Sequence, residues 1–393
     1  MNAPYTEGHI QVVRMMTKSL LLHGVKSILF NFDYSVARST IEDRHVCKYR
    51  IDQKIPLVTR DSLYRFSAPI AAYAVSMEAL KTLRFFSLEK ALKRDNYVVN
   101  IVNCSRYPRM FLRGLSTAPI ILHFYMSNVR LKPMTRILTE KADLIMASSY
   151  TLAQYLEKTG VNREKIRVVY PPIDTELHKP LAKERSRSKL GLPMEAEILV
   201  YIGGLKPTRF PAERMLSVMK KLAREIPEVR LLVFASANRE NAERAQELLR
   251  KIRQANLGRN IVVWVKDLTD TEKNMIYSAA DVFLFPHFET KTAIEPPLTV
   301  LEAMASGAVV VAPETSSLSE IIVDGKNGFL FGNSDFDDLA KVLANVLSNT
   351  GLGGTISQPA RQTIEEKASL LITGARIVEL YRSLLSGECA SAH

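Results

Sequence analysis

Short apolar runs rich in β-branched residues alternate with amphipathic stretches along most of the chain. GHIQVVRMMTKSLLLHG (8–24) has its apolar positions at helical spacing and stops at a glycine, and VKSILFNF (25–32) then reads as a strand. SLEKALKR (87–94) is helical, NYVVNIVN (96–103) and PIILHFY (119–125) are strands, and PMTRILTEKA (133–142) is helical again. DLIMASS (143–149) predicts a strand and YTLAQYLEKTG (150–160) a helix ended by Gly160. KIRVVY (165–170) then runs into the proline-punctuated connector PPIDTELHKP (171–180). The pattern restarts beyond it. EILVYIGG (197–204), VRLLVFAS (229–236), NIVVWVKD (260–267) and DVFLFP (281–286) are strands. They are separated by helices over 212–226, 239–255 and 270–280. Strand and helix in strict alternation imply an α/β chain with parallel sheets. The restart divides it into a first doubly wound domain, residues 1–175, and a second, residues 176–364. The amphipathic stretch EEKASLLITGARIVELYRSLL (365–385) has no strand after it, so residues 365–393 are expected to form a helix packed across the domains and a tail. Ligands of such sheets sit beyond the carboxyl ends of the strands, which places the site in a cleft between the two halves.

The stretch EPPLTVLEAMASG (295–307) holds the most chemistry. Pro296 and Pro297 lack backbone donors and suit a helix entrance, and Gly307 suits a left-handed stop. The strand AVVVAP (308–313) follows, so this helix should turn its free N–H groups, near Leu298, Thr299 and Val300, toward the cleft. That end attracts phosphate. Glu302, just over one turn inside, and Glu295, just outside, cannot bind phosphate but can accept hydrogen bonds from sugar hydroxyls. A capped core helix with solvated glutamates is the plainer alternative.

Charge sharpens the picture. The chain of 393 residues carries a net +12. Residues 1–178 hold 26 Lys and Arg against 15 Asp and Glu, a net of +11, and the remainder holds 27 against 26, a net of +1. An excess confined to one half implies an acidic partner there, or else a solvated basic surface. The clusters KTLRFFSLEKALKR (81–94) and RYPRMFLR (106–113) interleave cations with apolar residues, which suits an anionic membrane surface unless Phe85, Phe86 and Phe111 are core residues. Three widely spaced cysteines, Cys47, Cys104 and Cys389, offer neither a disulfide framework nor a zinc spacing, and the first residues have no signal-peptide character. A cytoplasmic protein, peripheral on the inner face of the membrane where lipid is bound, is the expectation.

Further candidates are scattered. In YIGGLKPTRFP (201–211) a strand ends in Gly-Gly, and Lys206 and Arg209 flank the turn, so the pair could neutralise a diphosphate. His123 stands at the carboxyl end of an apolar strand, and Gly8 opens a helix where backbone could approach a phosphate. No GxGxxG follows a strand and no GxxxxGK[ST] occurs, which argues against a nicotinamide enzyme and a P-loop ATPase. Asp335 and Asp337 form a DxD, but NSDFDDLAKVL reads as an N-capped helix with an acidic first turn rather than a metal bridge.

Together these pieces resemble the retaining GT-B glycosyltransferases of the glycogen-synthase-like and mannosyltransferase-like family (glycosyltransferase family 4, group 1). ADLIMASSYTLAQYL…EKIRVVYPPID, YSAADVFLFP and EPPLTVLEAMASGAVVVAPETSSLSEIIVDGKNGFLF carry the resemblance, which covers almost the whole chain. It implies two Rossmann-like domains facing across a cleft, with the acceptor on the first and a nucleoside-diphosphate sugar on the second. No metal or other cofactor is expected. In the family, two glutamates with seven residues between them serve the donor sugar and the ribose. Glu302 matches the ribose glutamate and Glu295 the first, although only six residues intervene, so Glu289 remains a rival. The family's diphosphate-binding arginine position is Gly204, with Lys206 as a substitute, and its lysine position is Arg209. His123 matches a histidine beside the donor sugar, and Asn103 stands where a histidine is common. Family members also begin with an apolar strand before the glycine turn, whereas seven residues without strand character precede Gly8.

The function implied is transfer of a hexose to a glycan or lipid-linked acceptor. The alternatives are a nucleotide-sugar epimerase on the same fold and a non-catalytic basic protein that binds membrane or nucleic acid. Nucleic acid is not an expected partner of the transferase.

Overall fold

The computed structural model describes residues 8–25, 28–29, 47–48, 98–102, 119–126, 136, 139–287, 294–332, 335–349 and 351–386. The first described element is helix α1 (Gly8–Leu22), and Gly24, at φ 75°, turns the chain out of the helix as its missing side chain allows. Strands β1 (Ile28–Leu29) and β2 (Cys47–Lys48) form a parallel pair. A four-stranded parallel sheet follows, β3 (Val99–Val102), β4 (Ile120–Phe124), β5 (Leu144–Ala147) and β6 (Ile166–Val168) in that order, with α2 (Tyr150–Lys158) between β5 and β6. Helix α3 (Lys183–Leu190) then leads into the second sheet.

That sheet contains β7 (Ile198–Ile202), β8 (Arg230–Ala235), β9 (Ile261–Val265), β10 (Val282–Leu284), β11 (Val309–Pro313) and β12 (Phe329–Phe331). Between them run α4 (Ala212–Glu225), α5 (Arg239–Gln254), α6 (Asp270–Ala279), α7 (Leu298–Ala305) and α8 (Ser316–Ser319). Helices α9 (Phe336–Ser348), α10 (Leu352–Ala368) and α11 (Leu370–Ser386) are the last described elements. The strands lie in the order β12-β11-β10-β7-β8-β9, all parallel. In the sheet's own numbering this is 6-5-4-1-2-3, the doubly wound order whose switch point falls between its first and fourth strands, β7 and β10.

Side-chain alternation in β7 builds two cores. Leu199 and Tyr201 pack with α4, α5 and α9 through Met215, Met219, Leu248 and Leu343. Ile198, Val200 and Ile202 pack on the opposite face with α6, α7 and α10 through Ile276, Leu301 and Ile364. Strand β4 divides likewise. Ile120, Leu122 and Phe124 pack against α2, whereas Ile121 packs with Met16 and Leu20 of α1 and Ile377 of α11.

The periodic stretch over 365–385 is two helices, not one. Ile173 donates its N–H to the Ala368 carbonyl at 2.7 Å and accepts from Leu370 N–H at 3.1 Å, breaking the helix at Ser369. Helix α10 stays on the second sheet while α11 crosses to the first. The expected helix over 87–94 and the cation–aromatic clusters at 81–94 and 106–113, with Phe85, Phe86 and Phe111, lie outside the described residues. So do Asn103 and Glu289.

Candidate active site

The carboxyl ends of β7 and β10 meet at the switch point. Beyond β7, Gly203 must be glycine for a local reason: a Cβ there would lie 2.5 Å from the Tyr201 hydroxyl oxygen. That crowding accounts for the first glycine of the pair whether or not a ligand approaches it. At Gly204 the nearest atoms to such a Cβ are Asn241 Oδ1 at 3.7 Å and Arg209 Cδ at 3.9 Å. The turn is fixed by the Tyr201 hydroxyl, which donates to the Gly204 carbonyl at 2.7 Å, and by Arg209 and Phe210 N–H groups donating to the Lys206 carbonyl. Arg209 is half-buried within this turn. Lys206 is exposed and lies 3.5 Å from Glu240, a surface pair of small energetic weight.

Beyond β10 stands His287, buried, with its Nε2 3.1 Å from the Tyr201 hydroxyl. That hydroxyl gives its one hydrogen to Gly204, so His287 carries its proton on Nε2. Burial first, then the charge of Arg209, lowers the His287 pKa to about 3, and the ring is neutral at physiological pH. His287 was not among the residues legible as candidates, although its place three residues past a buried strand was the signal.

Helix α7 begins at Leu298 as expected, with no side chain capping it. One expectation is corrected here. Val300 N–H donates to the Pro297 carbonyl at 3.1 Å, because the first turn is tightened, so Val300 is not among the outward donors. Leu298 and Thr299 keep that role. Gly307, at φ 75°, closes the helix.

Glu295 joins the second domain to the first. Its N–H donates to the Tyr125 carbonyl at 2.9 Å, and its carbonyl accepts from Ser148 Oγ. Tyr125 in turn places its hydroxyl 3.3 Å from His123 Nδ1. His123, Tyr125 and Glu295 therefore form one buried group, and His123 is wholly enclosed. Burial lowers its pKa to about 3, so it serves as a neutral hydrogen-bonding group at physiological pH. Tyr125 and Ser148 were not legible as site residues, since both act through contacts distant in sequence. Gly8 is the first residue of α1.

Glu302 is buried and already hydrogen-bonded. Its carboxylate accepts from Lys273 Nζ at 2.9 and 3.1 Å and from the Tyr277 hydroxyl at 3.0 Å. Lys273 also meets Asp270 at 3.0 Å. Burial alone would lower the Lys273 pKa, but Glu302 and Asp270 outweigh it and hold the ammonium above its ordinary range. The two sheets are tied together nearby. Arg14 of α1 lies 3.7 Å from Asp270. Glu320 accepts the Tyr150 and Thr151 N–H groups, at 2.8 and 2.6 Å, at the start of α2. The DxD is a helix cap: Asp335 accepts from the N–H groups of Asp337 and Asp338 at 3.0 and 2.9 Å, and Asp337 pairs with Lys221.

Residues 182–368 match the family model of glycosyl transferases group 1. Among curated proteins, a D-inositol 3-phosphate glycosyltransferase of Mycolicibacterium smegmatis is 24% identical over 209 residues, covering 53% of this chain and 46% of the relative. The chain spans about half the length of the first curated relatives it matches. Among solved structures, the sucrose-phosphate synthase of Thermosynechococcus elongatus superposes with a TM-score of 0.74 at 17% identity, over 97% of this chain and 94% of that one. Anabaena HepE in complex with UDP-glucose superposes with a TM-score of 0.63 at 18% identity, over 76% and 81%. The fold is GT-B, with two Rossmann-like domains.

Proposed function

We propose that the chain is a retaining glycosyltransferase that moves a hexose from a nucleoside-diphosphate sugar to a glycan or lipid-linked acceptor, without a metal ion. The observation that carries this reading is the switch point of the second sheet. There the Gly203-Gly204 turn, with Arg209, ends β7, His287 follows β10, and the uncapped α7 comes next in the chain. The match over 182–368 to group 1 glycosyl transferases supports it, as does the UDP-glucose held by a protein of the same fold.

In this reading the Leu298 and Thr299 N–H groups and Arg209 stabilise the departing diphosphate, and exposed Lys206 adds a weaker contribution. Negative charge builds on that leaving group in the transition state, so donors fixed beforehand lower the barrier without reorganising. Glu302 accepts hydroxyls of the ribose. Glu295 and neutral His123 flank the donor sugar, and Gly8 brings the start of α1 close to the phosphates. The acceptor sits on the first domain. Its excess of positive charge suits a phosphorylated or lipid-linked acceptor, and the curated relatives carry a phosphorylated polyol in their name.

Mass spectrometry of a nucleotide-sugar panel, with inositol phosphate and polyprenyl phosphate as acceptors, is the test. Transfer or slow donor hydrolysis is expected from one nucleotide sugar, and no consumption of any donor would overturn the proposal. The same assay decides the metal question. Turnover should persist in a chelator, and loss restored by manganese would remove the metal-independent mechanism.

Basic residues interleaved with aromatics also favour docking of the first domain on anionic lipid. Among the described residues no helix is long and apolar enough to cross a membrane, so such docking would be peripheral. Flotation with anionic vesicles at low salt should carry the protein upward, where attraction is least screened. Protein left at the bottom would point to a soluble acceptor.

A further inference from the structure

Lys273 occupies a surprising place. It lies on the buried side of α6, one helical turn before Ile276 and Tyr277, where the period calls for an apolar side chain. A lysine there gives up its hydration, and a well-packed apolar residue would hold α6 on the sheet as well or better. Its ammonium instead bridges both oxygens of Glu302, at 2.9 and 3.1 Å, and meets Asp270 at 3.0 Å. The Tyr277 hydroxyl adds a third hydrogen bond to Glu302, on Oε2, at 3.0 Å. An ionised carboxylate offers about four lone-pair directions. Among the described residues these bonds use two on Oε2 and one on Oε1. The remaining direction, on Oε1, is then set by a rigid frame from a neighbouring helix.

We infer that Lys273 and Tyr277 are positioning residues, which hold Glu302 oriented to read a nucleotide ribose through Oε1. The inference rests on the transferase reading and adds to it the device by which the second domain tells ribose from a sugar lacking those hydroxyls. Without Lys273 the buried Glu302 loses two of its three fixed hydrogen bonds and turns away, and a mobile carboxyl is a poorer acceptor for a hydroxyl.

Calorimetric titration with UDP and GDP, each against its dideoxyribose analogue, and with inorganic pyrophosphate separates this from a packing role. The wild-type protein should prefer the ribose form of one nucleotide by about tenfold or more, the range of hydrogen bonds to a charged group. Lys273→Met should erase most of that preference, Tyr277→Phe should reduce it by about threefold, and Lys273→Arg should restore part of it. Pyrophosphate affinity should stay within about twofold throughout, because the diphosphate contacts lie elsewhere. A preference left intact in folded Lys273→Met, or equal weakening of all probes, would overturn the inference. If Lys273→Met does not fold, Tyr277→Phe decides, since it removes one oxygen and keeps the ring in the core. Wild-type protein that binds ribose and dideoxyribose forms equally overturns this inference alone. Protein that binds no nucleoside diphosphate overturns the transferase reading as well.

Discussion

Arg209→Ala should lower donor turnover by about 100-fold or more, the cost typical of removing one fixed donor to a developing negative charge. Arg209 is the half-buried cation of the Gly203–Phe210 turn, next to Gly204 and close enough to His287 to depress its pKa. It sits on a loop, and the turn itself is held by backbone hydrogen bonds, so folding should be nearly unaffected. Lys206→Ala makes the internal comparison: that side chain is exposed and already paired with Glu240, and its loss should cost far less. Steady-state kinetics with thermal denaturation of both variants is the check. Normal turnover in Arg209→Ala would remove it from the diphosphate site.

The largest effect on stability should come from Asp281→Ala, at about 3–5 kcal/mol, as expected when one partner of a buried ion pair is deleted. Arg187 is almost fully enclosed and anchors α3 to the second sheet. It donates to the carbonyls of Ala279 at 3.0 Å, Met194 at 2.6 Å and Ala196 at 3.0 Å, and to Asp281 at 2.6 Å. Asp281 also accepts the Ile198 N–H, the first of β7, at 2.5 Å, and pairs with Lys183. Its removal strands a buried guanidinium and the N–H that opens the central strand. Urea unfolding should show the loss as a lower midpoint, and a change below about 1 kcal/mol would mean that water reaches Arg187.

Much of the second domain was legible because its signals are local. The apolar run ILVYI with Gly-Gly after it, the helix opened by Pro296 and Pro297, and the stop at Gly307 each follow from a few adjacent residues. The same holds for the DxD, whose capping role follows from Asp335 preceding an apolar helical run. What escaped depends on distant partners. The break at Ser369 is made by Ile173, on the connector between the sheets. Tyr125 and Ser148 reach Glu295 only once the domains meet. Lys273 looked like one more polar residue in DTEKNMIYSAA, and its partner Glu302 lies 29 positions away. Helix α3, with its run of charged residues, has little apolar periodicity to read and is placed by Arg187 instead. Glu302 was recognised as a candidate, but nothing local to it showed that a lysine would share its carboxylate.

The most direct test of the central claim is a crystal structure of the protein with the nucleoside diphosphate that it binds in titration. The diphosphate should lie at the start of α7, within hydrogen-bond reach of the Leu298 and Thr299 N–H groups and of Arg209, with the ribose against Glu302. A nucleotide bound away from the carboxyl ends of β7 and β10, or a diphosphate that leaves Arg209 and the start of α7 untouched, would contradict it.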